Sequence, residues 1–545
     1  MSVVRHRLVI AAALVLAAPA PAAHARATDG TISRTAGTTS GFAGDGGPAA
    51  QAQIDTPSDV AFLADGSYVI ADTANDRVRR VFGDGHIDTD AGTGDGGFCC
   101  DGGPATDANI NRPGGVTSMA DGGYLIADTG NDVIRRVFAD GHIDTIAGAH
   151  GELSRPTDTA VMPDGAILIA DTNHDQIRRL DTDGTLVTVA GTGARGFAGD
   201  GGPATAAQLS QPRDIAVASD GAILIADTGN DRVRRIAADG TISTVAGTAA
   251  GLSGDGDPAT TAKLDAPSSI APLPHGGFIV ADTANNRVRR ITPLGAIFTV
   301  AGTDAGDSGD GGLAKNARLS VPAAITNAPG GGFAIADTGN AQIRRVSDIG
   351  AVPNAVAGHS VGVAPGSGDV TVKPLGKPGY LALQEEDLVP VQSQVDATNG
   401  HIAVTVAKDA TGQQITAELF DAPFTVQQSS DAQPFTTFRV PPLTGCGVSA
   451  RTAASPRAFA AAKKKRKKRR SLWTREAGGK WRSSTGSTSA SAVGTFWNTQ
   501  LLCEGTRISV FQGIVRVRDK VRHRNHLVFA GQSYLVKTTG ARRGQ

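Results

Sequence analysis

An all-β fold, a six-bladed β-propeller of four-stranded blades followed by a smaller β-rich C-terminal domain, is predicted by three features of this 545-residue chain. The phrase Ala-Asp-Thr recurs six times, with its aspartate at Asp72, Asp128, Asp171, Asp227, Asp282 and Asp337, at intervals of 56, 43, 56, 55 and 55 residues. Each copy carries four short apolar runs separated by Gly, Asn and Asp turns. Glycine is abundant (70 residues) while aromatic residues make up only 4%, which suits short strands with cores of Ile, Val and Ala. One such unit cannot bury both faces of its sheet. A closed ring of them can.

Residues 1–25 read as an export signal. Arg5, His6 and Arg7 form a basic start, Leu8 to Ala18 an apolar run, and Ala23-His24-Ala25 a small-x-small cleavage site. The run is too short for a membrane core that needs about twenty residues. The protein is therefore expected to be secreted or extracytoplasmic, where disulfides persist.

The repeats occupy residues 26–360. In the fourth copy, Asp214 to Val217 form a first strand, Ser219-Asp220-Gly221 a turn, and Ala222 to Ala226 a second strand. The turn Asp227-Thr228-Gly229-Asn230 leads to a third strand, Arg232 to Ile236. Asp239-Gly240 then turns into a fourth, Thr241 to Val245. The closing Ala-Gly phrase of the fourth strand occurs seven times, ending at Gly37, Gly92, Gly148, Gly191, Gly247, Gly302 and Gly358. One strand is left over. The last copy contains Pro353 and Asn354, both poor in a paired strand, so Thr31 to Gly37 is expected to close the ring onto residues 322–347.

The segment from Gly196 to Thr205 (GFAGDGGPAT), followed by Leu209, Pro212, ILIADTGNDRVRR and TISTVAGT, resembles the NHL-repeat family in the form seen in bacterial secreted proteins and teneurins. The resemblance covers residues 31–358. It implies a propeller, and with it either a binding platform or, in some members, a metal-assisted lyase or lactonase whose site lies in the central channel.

Strand order puts the Gly-Asp-Gly-Gly loops and the Asp-Thr-x-Asn turns on one end of the ring. Loop aspartates Asp45, Asp101, Asp200, Asp255 and Asp310 thus form an acidic ligand-face candidate, and calcium or another divalent cation is the ion they could hold. The competing structural role is turn formation, since Asp before Gly bonds its own backbone. The third junction lacks about a dozen residues and has no such loop. The Ala-Asp-Thr aspartates and the arginine pairs from Arg79-Arg80 to Arg344-Arg345 recur in every unit. A binding site in a ring breaks the symmetry, so these residues are read as scaffold, each aspartate accepting turn N–H groups and pairing with an arginine. No His-x-x-x-His or Cys-x-x-Cys spacing appears, and His174 and His275 are the remaining candidates for a metal.

Charge divides the chain. Residues 26–360 hold 24 Lys and Arg against 40 Asp and Glu, and residues from 361 onward hold 26 against 12. Residues 361–368, rich in Gly and Pro, read as a linker, and residues 369–545 as a β-rich domain interrupted by a basic disordered loop at 451–470. A stretch from Gly513 to Asp519 and from Phe529 to Leu535 is similar to FecR-like β domains. Lys463 to Arg470 could contact an anionic cell-envelope polymer, and nucleic acid is an unfavoured partner for an exported chain. Cys446 and Cys503 flank this loop as a candidate disulfide, while Cys99 and Cys100 could form a local staple or a reactive pair. Together these features predict a secreted, non-catalytic platform for a protein or glycan ligand, with a channel-sited enzyme as the alternative and no cofactor required.

Overall fold

The computed structural model describes residues 30–347 except 275, then residues 359–537 with breaks, the longest spanning 440–468. Export residues 1–25 and the Cys446–Cys503 pair lie outside the described residues.

Six antiparallel sheets follow one another along residues 32–346. The fourth is typical: Pro212–Val217, Ile223–Asp227, Arg232–Ile236 and Ile242–Ala246 pair in sequence order. The first strands of consecutive sheets pack side by side all the way round, and that of the sixth sheet packs on that of the first. The circle closes through the N-terminus. Ile32–Ala36 pairs antiparallel with Gln342–Val346, with Ile32 opposite Val346 and Arg34 opposite Arg344. Ile32 and Ala36 are fully buried, so the closing strand is held by packing as well as by its ladder.

Alternation explains the core between sheets. Leu168, Ala170 and Ile177 of the third sheet meet Leu209, Ile215, Ile225 and Ile242 of the fourth. Small residues let adjacent sheets approach closely. Each fourth strand ends in a glycine of left-handed conformation, and at Gly92 (φ +93°) a Cβ would lie 2.5 Å from the Asp76 carbonyl.

Residues 360–537 form a single hydrogen-bonded sheet of fifteen strands. Two expectations are corrected here. Residues 361–368 are not a linker but part of the strand Ser360–Lys373, paired with Asp387–Pro390 and Gln394–Ala407. A register shift between Pro365 and Ser367 accommodates the proline, which can stand in a strand where the ladder is interrupted. Arg469 and Arg470, placed in a loop by their charge, begin the strand Arg469–Glu476 opposite Leu502 and Leu501. The backbone ladder does not depend on side-chain charge at a strand end. This sheet touches the fifth propeller sheet: Leu294 joins its valine-rich core, and the Leu294 N–H donates to Asp387 Oδ2 at 3.2 Å. No helix among the described residues is long and apolar enough to cross a membrane.

Candidate functional site in the central channel

The repeated polar residues connect strands, turns and loops. Oδ1 of each Ala-Asp-Thr aspartate accepts a backbone N–H from the residue seventeen positions earlier, at 2.7–2.8 Å. The first arginine of each pair reaches the same carboxylate through Nη1, at 3.2–4.0 Å. In five sheets this arginine is fully buried, and its Nη2 meets the loop aspartate: Asp45, Asp101, Asp200, Asp255 or Asp310, at 2.5–2.7 Å. The loop aspartates therefore point into the sheets, each toward a guanidinium. Burial pushes Asp72, Asp128 and Asp337 up to about 6 despite these donors.

The threonines join sheet to sheet. The hydroxyls of Thr73, Thr129, Thr172, Thr228, Thr283 and Thr338 donate to the carbonyl of the proline that opens the next first strand, at 2.6–2.8 Å. The last of these, Thr338 to Pro57, spans the seam. A second link comes from Asp76, Asp132, Asp175, Asp231 and Asn286, which accept the N–H of the residue before that proline. Ala341 occupies this position at the seam and has no acceptor to offer.

None of these aspartates lines the central cavity. Its volume is about 210 Å³, and its wall includes Asp59, Asp158, Asp214, Arg112, Arg155 and Arg213 with several hydroxyls. The carboxylates stand two residues after the opening proline of their first strands. Around the ring that position reads Asp59, Gly115, Asp158, Asp214, Ser269, Ala324. Each carboxylate accepts an N–H from the next first strand: Val116 to Asp59 at 2.7 Å, Ile215 to Asp158 at 3.3 Å and Ile270 to Asp214 at 2.7 Å.

Burial raises Asp59 to about 8 and Asp214 to about 6, and it pushes Asp158 well up, with the charges of Asp214 and Asp59 adding to the effect. The neighbouring Asp214 raises Asp158 further, while Asp158 lowers Asp214. The channel thus sets raised carboxyl groups and the guanidinium groups of Arg112, Arg155 and Arg213 in one wall.

Sequence reasoning missed this position, although the departure from symmetry was visible in the triplets PSD, PGG, PTD, PRD, PSS and PAA. Of the histidine candidates, His174 sits in a turn with Nδ1 2.8 Å from Asp171, and His275 lies outside the described residues. Among the described residues no three His, Cys, Asp or Glu side chains are grouped to hold a metal ion. Cys99 and Cys100 are joined by a disulfide between neighbours, and the Cys99 carbonyl accepts from Arg135.

A closed ring of four-stranded antiparallel sheets around a polar channel is a β-propeller. Its repeats are similar to those of the NHL-repeat β-propellers. Residues 192–253 match the family model for the teneurin NHL domain. Human teneurin-1 is 29% identical over 286 residues, covering 47% of this chain and 9% of the teneurin. Teneurin-4 of Mus musculus is 30% identical over 283 residues, again 47% and 9%. The chain therefore spans about 9% of the length of these relatives. Among solved structures, an auxiliary nutrient binding protein from Bacteroides ovatus aligns at 17% identity and TM-score 0.45, covering 58% of this chain and 76% of that one. A streptogramin B lyase aligns at 15% and TM-score 0.38, covering 54% and 94%.

Proposed function

We propose that this protein is an exported, non-catalytic binding platform that receives a hydroxyl-rich ligand, a glycan, at the mouth of the propeller channel. The observation that carries this reading is the broken symmetry of the channel wall. Scaffold residues repeat in all six sheets, whereas the position two after the opening proline changes from carboxylate to glycine, hydroxyl and methyl around the axis. Carboxyl groups, hydroxyls and guanidinium groups at one mouth match sugar hydroxyls, which both donate and accept. Export through residues 1–25 and retention at an anionic envelope polymer through Lys463 to Arg470 belong to the same proposal.

The test is calorimetric titration of the purified chain with envelope and plant-type polysaccharide fragments. One fragment class should bind, and Asp214→Asn should weaken it about tenfold or more. Binding that ignores Asp214→Asn would move the site off the channel, and binding to a protein alone would replace the glycan. The raised Asp158 carboxyl standing with Asp214 in the channel wall favours a second reading, a channel-sited lyase or lactonase. Turnover of the bound fragment that chelation abolishes would establish it in place of the platform.

A further inference from the structure

The third sheet differs from the other five at its outer rim. In those five, the preceding junction lays a short extended segment along the fourth strand: Gly46, Gly102, Gly201, Gly256 and Gly311 donate to Ile87, Ile143, Ile242, Ile297 and Ile32 respectively, at 2.8–2.9 Å. The same segment brings the aspartate that seals the buried arginine. All five of those isoleucines are fully buried.

The third junction is too short to do this. Leu186, the counterpart of Ile242 by register, is opposite Leu180 as Ile242 is opposite Ile236. Its outward N–H and C=O meet no backbone partner among the described residues, and its side chain is only partly buried. Val187 beside it is 39% exposed. Among the described residues Arg178 bonds Asp171 Oδ2 at 3.4 Å and the Glu152 carbonyl at 3.2 Å, its charge also reaches the exposed Glu152 carboxylate, and its side chain is 16% exposed where the other five are fully buried. His174 stands where the other five sheets have an asparagine that donates to a carbonyl of the loop. The loop and its anchors are absent together.

We propose that this rim is a docking site for an extended acidic segment of a partner protein, which adds a short strand along Leu186 and places an Asp or Glu carboxylate on Arg178. The occupant's chemistry is shown five times within the molecule itself, as a Gly-Asp-Gly segment pairing with an edge and neutralising a guanidinium. An open edge strand gains main-chain bonds from such a segment, and an arginine with a free flank gains a charge-assisted pair. The site lies on the fourth strand of the sheet, not at the first-strand position that carries the channel carboxylates.

A labelled peptide with the sequence of residues 196–209, which fills this role for the fourth sheet, is titrated onto the full chain and followed by fluorescence anisotropy. Saturable binding is expected, weakened about tenfold or more when the peptide carries Asp200→Asn or the chain carries Arg178→Gln. Leu186→Pro removes an N–H that no neighbouring strand uses and should weaken binding with Arg178 intact. A chain in which residues 148–153 are replaced by residues 191–209 fills the slot covalently and should no longer bind. Thermal melts check that each variant folds, and the Asp200→Asn peptide on the unaltered chain decides the matter if one does not. No saturable binding, equal affinity for the Asp and Asn peptides, or undiminished binding to the grafted chain would overturn the proposal.

Discussion

Arg234 has almost no water left around it. Its guanidinium donates to Asp200, Asp227 and the carbonyls of Gln208 and Ala198, with the Phe197 ring 4.9 Å away. Removing one partner of such a network strands the others without solvent. Arg234→Ala is expected to cost about 3–5 kcal/mol in chemical denaturation. Arg178→Ala, in the sheet without a loop, should cost distinctly less. Asp59 contributes to the pH dependence together with the raised Asp158 and Asp214 beside it. The unfolded chain holds this carboxyl at its ordinary value of 3.8 while the fold raises it to about 8, so the native state binds more protons across that interval. Stability therefore falls as pH rises from about 4 to about 8. Asp59→Asn keeps an acceptor for Val116 and should flatten the upper part of that slope, measured as unfolding free energy at about pH 6 and about pH 8.

Strands and turns show which local signals decide structure. Turn chemistry was legible because Asp, Asn and Gly act within a few residues: Asp76, Asp175, Asp231 and Asn286 take the left-handed conformation that closes each turn. Ala341 adopts the same conformation (φ 53°) without the side chain suited to it. Ala341→Asn should relieve that cost and supply the missing acceptor for the Thr56 N–H, raising stability by roughly 1 kcal/mol in thermal or urea unfolding. Composition misled at residues 361–368, where Gly and Pro signal a break but a bulged strand forms. Pairing across the whole sheet outweighs local preference there.

At the scale of the molecule, the ring is sealed by a strand from the opposite end of the repeats. Deleting residues 26–38 removes the partner of Gln342–Val346 and exposes the core that Ile32 and Ala36 cover. The melting midpoint should drop by roughly 10 °C or more, with a broader transition in calorimetry. An unchanged midpoint would show that the seam does not depend on this strand. The fifth sheet, in contact with the C-terminal sheet through Leu294 and Phe298, should be the best protected of the six in hydrogen exchange.

The repeated unit, its four strands, its turns and the need for a closed ring follow from the sequence alone, because each rests on contacts between near neighbours and on six-fold repetition. Which arginine faces which aspartate, and the meeting of Asp59, Asp158 and Asp214 at one channel, were decided by the tertiary structure. Asp158 and Asp214 lie 56 positions apart, and Asp59 is farther still from both. Only the closing of the circle sets their distances and their burial.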